Sequence, residues 1–156
     1  NPYFFSIPTS PYMATRKLGK TIDIDVVLSR FEILQSRHDI VLVEGIGGIL
    51  TPILRDYFVA DLIKNLGLDT ILMTGTQMGS VNHTLLSIDL CKKYGIKTNL
   101  VINDIDPTGY NVDDLESDLF SLSGLETLCK IPHGKNIEQI SKMLEQNNFS
   151  QVLARL

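Results

Sequence analysis

Apolar residues along this chain switch between two spacings. From Asp23 to about Arg37, Val27, Leu28, Phe31 and Leu34 recur at helical intervals, which predicts a helix capped by Asp23 with one apolar stripe. Ile40-Val41-Leu42-Val43 is instead a short continuous apolar run rich in β-branched residues, the pattern of a strand buried on both faces of a parallel sheet. It stops at Glu44-Gly45-Ile46-Gly47-Gly48, a glycine-rich loop. The alternation then repeats. Asp56 to Leu66 reads as a helix closed by Gly67, Thr70 to Met73 as a strand, Gly75 to Gly79 as a loop, and Val81 to Tyr94 as a helix ending at Gly95. Asn99 to Ile102 reads as a third strand that ends at Asn103-Asp104. A turn around Pro107-Thr108-Gly109, a weaker helix near Asp113 to Leu122, a short strand before Pro132 and a helix from Ile137 to Gln146 complete the series.

Strands and helices alternating at this interval predict an α/β fold, a doubly wound, mostly parallel sheet with helices on both faces, in a single domain over 1–156. Composition agrees: 44% hydrophobic and 21% charged residues describe an ordinary globular chain. The formal net charge of −4 argues against general nucleic-acid binding, which needs a surplus of Lys and Arg. Cys91 and Cys129 stand in unrelated contexts, which suits a reducing compartment and neither a disulfide framework nor a metal cluster. No apolar run approaches the roughly 20 residues of a membrane span, and no signal peptide is expected from the first residues. The chain begins Asn1-Pro2 without Met, as a processed or partly observed piece of a longer protein would.

In a parallel sheet, ligands bind beyond the carboxyl ends of the strands. Glu44 with its glycines, Thr74-Gly75-Thr76 and Asn103-Asp104 are therefore expected at one edge. Glycines after a strand also serve simple turning. A carboxylate directly after an apolar strand is poorly explained that way; it suits holding Mg²⁺ or polarising a nucleophile, with glycines that let backbone N–H groups approach an anion. Asn82-His83-Thr84 opens a helix after Gly79-Ser80, where free N–H groups favour a carboxylate or phosphate. Gly19-Lys20-Thr21 imitates the end of a G-x-x-x-x-G-K-S/T phosphate loop, but Ala14 occupies the first glycine position and no strand leads into it. It reads as a decoy. Neither His38 nor His133 has a zinc-like spacing, and the face with Glu138, Lys142 and Glu145 reads as solvated. Phe149, Val152 and Leu153 read as packing groups or as part of an oligomer interface.

Taken together, several segments resemble the dethiobiotin synthetase family. Val43-Glu44-Gly45-Ile46-Gly47-Gly48 is similar to its VEGAGG motif and is followed by Thr51-Pro52 and Asp61-Leu62. Met78 to Leu86 resembles its L-G-x-I-N-H-x-L-L segment, and Ser10 to Ala14 its S-P-H-x-A segment; Asn103-Asp104 and Ile131-Pro132 follow in order. The resemblance implies a P-loop NTPase-like, Rossmann-type three-layer sandwich in a cytoplasmic homodimeric enzyme. It implies closure of the ureido ring of dethiobiotin from 7,8-diaminononanoate, CO₂ and ATP with Mg²⁺, through a carbamate and a carbamic-phosphoric anhydride.

Carried over by position, Glu44 is the expected Mg²⁺ ligand, and Glu44, Gly45, Ile46, Gly47, Asn103, Asp104, Pro132, His133 and Gly134 the ATP contacts. Ser10, Pro11, Tyr12, Gly47 and Gly48 would adjoin the diamine. Gly79, Ser80, Val81, Asn82 and His83 would hold the substrate carboxylate from a partner subunit. Ile46 and Tyr12 stand where the family has Ala and His, and the late acidic nucleotide contact falls on Glu138 or Gln139. The family's phosphate loop, a second Lys and an Asp for Mg²⁺ are expected before residue 1, so that the domain would be a partial one and this piece alone inactive. A non-catalytic regulatory or binding module of similar fold is the competing reading.

Overall fold

The computed structural model describes residues 1–134 and 136–146, so Phe149, Val152 and Leu153 lie outside the described residues. The chain divides into two compact units, Asn1–Leu68 and Asp69–Leu156.

The first unit holds helices α1 (Pro11–Leu18), α2 (Ile24–Gln35) and α3 (Val59–Leu66), with a two-stranded antiparallel ladder of β1 (Pro52–Leu54) and β2 (Tyr57–Phe58). Ser10 caps α1 by accepting from the Met13 N–H, and Pro11 sits in the first turn, where its missing N–H costs nothing. The helix buries Pro11, Ala14 and Thr15 and packs on β1. Gly19 closes it with φ 61°, so Gly19-Lys20-Thr21 follows a helix and not a strand, as the decoy reading requires. Asp23 caps α2 as expected, its carboxylate accepting from the Asp25 N–H at 2.9 Å. Val27, Leu28 and Phe31 are half-buried and Leu34 is exposed.

Two expectations need correction in this unit. Ile40–Val43 forms no strand among the described residues, and Ile40 and Leu42 are 80% and 88% exposed. An apolar run becomes a strand only where a neighbour takes up its N–H and C=O groups, and no described segment pairs with this one. The helix expected from Asp56 begins at Val59, because the preceding residues form the β1–β2 hairpin. The Phe58 N–H donates to the Asp61 carboxylate at 2.7 Å, which fixes that start.

The second unit is a parallel sheet in the order β3 (Thr70–Gly75), β4 (Thr98–Asn103), β5 (Thr127–Ile131). Helix α4 (Ser80–Tyr94) joins β3 to β4, α5 (Val112–Ser123) joins β4 to β5, and α6 (Ile137–Gln146) follows. These are the βαβ units that the alternation predicts, and their bounds match the sequence reading to within about two residues. Leu100, Ile102, Leu115 and Leu119 are fully buried and pack with Leu72, Val81 and Leu85, so α4 and α5 cover the same face of the sheet. Thr84 Oγ1 donates to Thr74 Oγ1 at 2.7 Å, pinning the first turns of α4 to β3 inside this layer. Gly67, Gly95 and Gly124 close α3, α4 and α5 in the left-handed region, where glycine avoids the Cβ clash. Glu138, Lys142 and Glu145 are exposed on α6, as expected.

Candidate functional site

The predicted site residues fall into two sets, one in each unit. In the first unit, Glu44 to Gly48 are exposed, and the Glu44 side chain has no hydrogen bond or ion pair among the described residues. The loop is anchored behind itself: Thr51 N–H donates to Gly48 O at 2.9 Å, Ala60 N–H to Ile49 O at 3.0 Å and Val59 N–H to Thr51 O at 3.1 Å. Gly47 has φ 67°, and a Cβ there would stand 2.7 Å from Thr51 Oγ1, so this position requires glycine on two counts. A free carboxylate on a loop tied down by backbone bonds can engage a cation without first breaking an internal pair. In the same unit, Tyr12 is half-buried beneath the Arg16 guanidinium, 5.5 Å from the ring centroid.

In the second unit the carboxyl edges of β3, β4 and β5 come together. Gly75 pairs with Asn103 and Asn103 with Ile131, so the strands end in register. The Asp104 N–H donates to Ile131 O at 2.9 Å, and His133 Nδ1 lies 3.1 Å from Asp104 O. Asp104 and His133, which the sequence places 29 residues apart, are thereby joined. Pro132 and Gly134 flank His133, and a Cβ on Gly134 would meet Ile140 of α6. At the start of α4, Gly79 is the N-cap with φ 92° and offers no side-chain cap. Ser80 is buried and donates to Gln77 O at 2.7 Å, while Asn82 and His83 are exposed. Val81 belongs to the apolar layer instead, packed against Leu100 and its neighbours.

The sequence places Thr76 and the turn around Pro107-Thr108-Gly109 at this edge, but not the bonds that join them. Thr76 is completely buried, and its hydroxyl lies 3.2 Å from both Asp104 Oδ1 and Asp106 O while accepting from the Asp106 N–H at 3.0 Å. The turn Asp106-Pro107-Thr108-Gly109 is closed by Gly109 N–H to Asp106 O, with the Asp106 carboxylate accepting from both the N–H and the hydroxyl of Thr108. Asp at the first position, Pro at the second and Gly at the fourth are the turn signal in the sequence; nothing local announces the partners of the Thr76 hydroxyl. An open cleft of about 350 Å³ borders this turn, lined by Asp104, Asp106 and Tyr110 among others.

The Thr108 hydroxyl, then its N–H, and more weakly the charge of His133 hold the Asp106 carboxyl below its ordinary range against a small opposing desolvation. A carboxyl that titrates lower when folded gives stability that is complete above its unfolded value and lost as pH falls through the folded one. Urea melts from about pH 6 to about pH 3 are expected to show a shallower acid decline for Asp106→Asn than for the parent. Gly109 is braced just as closely, since a Cβ would stand 2.8 Å from the carbonyl carbon of Thr76. Gly109→Ala is expected to cost about 1–3 kcal/mol in the same melts through overpacking and the strained Tyr110 N–H to Thr76 O bond.

A model of the AAA domain family, a P-loop NTPase family, matches residues 1–141. The chain belongs to this family. Among curated proteins it is 42% identical over 142 residues to the ATP-dependent dethiobiotin synthetase BioD of Nitrosopumilus maritimus, covering 90% of this chain and 62% of that protein. It is 33% identical over 132 residues to the protein of the same name from Bacillus licheniformis, covering 84% of this chain and 54% of the relative. A third, from an Anaeromyxobacter strain, is 31% identical over 149 residues, covering 92% and 65%. The chain thus spans less than two thirds of the length of each of these relatives. The α/β class, the family resemblance and the nucleotide-binding lineage expected from the sequence all agree with these findings. The relatives carry an enzyme's name, which does not favour the non-catalytic alternative.

Proposed function

We propose that the protein to which these residues belong is an ATP-dependent dethiobiotin synthetase. The carrying observation is the continuity of similarity through both units, 142 residues at 42% identity with a protein of that name. The same continuity, and one family model over residues 1–141, support reading the two units as parts of one domain. The substrates are 7,8-diaminononanoate, CO₂ and ATP. One amine is carbamoylated by CO₂ and loses a proton; the carbamate oxygen takes the γ-phosphoryl group with release of ADP. The second amine then attacks the carbamoyl carbon, closing the ring as phosphate leaves and a second proton is lost.

In this reading Glu44 holds Mg²⁺. The fit is chemical: an exposed carboxylate, unpaired among the described residues, on an anchored loop would suit a hard cation such as Mg²⁺. When bound, Mg²⁺ would neutralise charge on the phosphates. Gly45, Ile46 and Gly47 contribute backbone to the same ATP contacts, and Gly47 and Gly48 extend them toward the diamine with Ser10, Pro11 and Tyr12. Asn103, Asp104, Pro132, His133 and Gly134 form the base side. The α4 start, Gly79 to His83, receives the substrate carboxylate from a second subunit, a role supported by a 15-residue helix whose start has no side-chain cap, with the Ser80 N–H taken up by Gln77 O. The reading includes a homodimer in the cytoplasm. Two free cysteines and, among the described residues, no helix long and apolar enough to cross a membrane are compatible with it.

Isotope labelling tests the chemistry. Incubated with ¹³C-bicarbonate, the diamine and ATP, the whole protein is expected to yield dethiobiotin one mass unit heavier than with unlabelled bicarbonate. Consumption of ATP without labelled product would defeat the reading.

A further inference from the structure

The base-side edge contains a residue that no family motif quoted above includes. Thr76 is fully buried, yet it is polar and sits immediately after β3, where an apolar side chain would fill the same space. A hydroxyl has one proton to give, and the Thr76 proton has two acceptors at 3.2 Å, Asp104 Oδ1 and Asp106 O. The carboxylate is the stronger acceptor. The hydroxyl oxygen simultaneously accepts from the Asp106 N–H, and the Thr76 carbonyl accepts from the Tyr110 N–H at 2.7 Å. Asp104 is held at three points: its N–H on Ile131, its carbonyl on His133 and one carboxylate oxygen on Thr76. Its other carboxylate oxygen, Oδ2, has no hydrogen bond among the described residues and is the group left for a ligand.

We propose that Thr76 is a positioning residue for nucleobase selection, acting through Asp104. The proposal rests on the synthetase reading and deepens it. A carboxylate oxygen accepts and never donates, so a fixed Oδ2 favours a base edge that presents an amino group and disfavours one that presents a carbonyl. With the Thr76 hydroxyl removed, the Asp104 carboxylate is free to rotate, and the Asp106 N–H loses its buried acceptor. The expected consequence is relaxed discrimination between adenine and hypoxanthine nucleotides.

The test compares KM and kcat for ATP and ITP, with the diamine and bicarbonate saturating, in the whole protein and its Thr76→Val and Thr76→Ser variants. The parent is expected to favour ATP in kcat/KM. Thr76→Val is expected to shrink that preference by about tenfold, chiefly through KM for ATP, and Thr76→Ser to restore it. A valine that only disturbs the fold would lower kcat/KM for both nucleotides alike and leave their ratio unchanged, which would overturn the proposal. Should Thr76→Val be too unstable to assay, Thr76→Ser and Asp104→Asn decide: retained discrimination in the first with relaxed discrimination in the second supports it, and any other combination overturns it. A parent with no diamine-dependent turnover would overturn the synthetase reading itself and the selectivity proposal with it. A parent that turns over ATP and ITP equally would overturn the selectivity proposal alone.

Discussion

Glu44→Ala in the whole protein is expected to lower diamine-dependent phosphate release from ATP by about a hundredfold or more, while leaving the unfolding transition where it was. The two halves of that expectation have different physical origins. The loss of activity follows from the proposed role: a ligand that helps neutralise charge on the phosphates acts where the transition state carries it. The unchanged stability follows from the structure. Glu44 is exposed and its side chain is unpaired among the described residues, and substitutions at such positions usually stay within about 0.5 kcal/mol. Phosphate release measured across a Mg²⁺ titration, with a thermal melt on the same sample, checks both. Full activity in the variant would remove Glu44 from the metal's environment; a collapsed melt would mean that the loop depends on this side chain for folding.

The largest effect on stability is expected from Leu115→Ala. Leu115 is fully buried on α5 and packs with Leu100, Ile102 and Leu119, the residues through which the helix meets the sheet. Removing most of its side chain forfeits apolar burial and leaves a cavity that a β-sheet on one side cannot collapse to fill, at a cost of about 2–5 kcal/mol. That is a large fraction of the stability of a domain this size. Urea unfolding followed by circular dichroism is the check. Leu122→Ala makes the comparison on the same helix: Leu122 is 63% exposed, and its replacement is expected to change little. Equal losses from the two variants would contradict the packing described for α5.

The second unit was legible because its signals are repetitive and strong. β3, β4 and β5 are short apolar runs, and Gly95 and Gly124 close α4 and α5 where the helical spacing ends. The first unit was less so. Helix α1 buries Pro11, Ala14 and Thr15, residues too small or too polar to register as an apolar stripe, although the Ser10-Pro11 start is a readable cap. The β1–β2 hairpin turns through Arg55-Asp56, which lacks the glycine or asparagine that announces such turns. Ile40–Val43 carries the composition of a buried strand and yet is largely exposed and pairs with no described segment, because pairing belongs to the neighbour as much as to the segment. The Glu44–Gly48 loop and Asn103-Asp104 stood out through residue type at strand ends. So did Thr74-Gly75-Thr76, but the partners of the Thr76 hydroxyl did not, since they lie 28 and 30 residues further along and only the parallel register brings them to it.

The central claim is that this carboxyl edge and glycine-rich loop serve a ligase that couples ATP to ring closure. Phosphate release from ATP by the whole protein, measured with and without 7,8-diaminononanoate and bicarbonate, tests it most directly. The account predicts release that requires both the diamine and bicarbonate. Release that is indifferent to the diamine, or none with all three substrates and Mg²⁺ present, would contradict it.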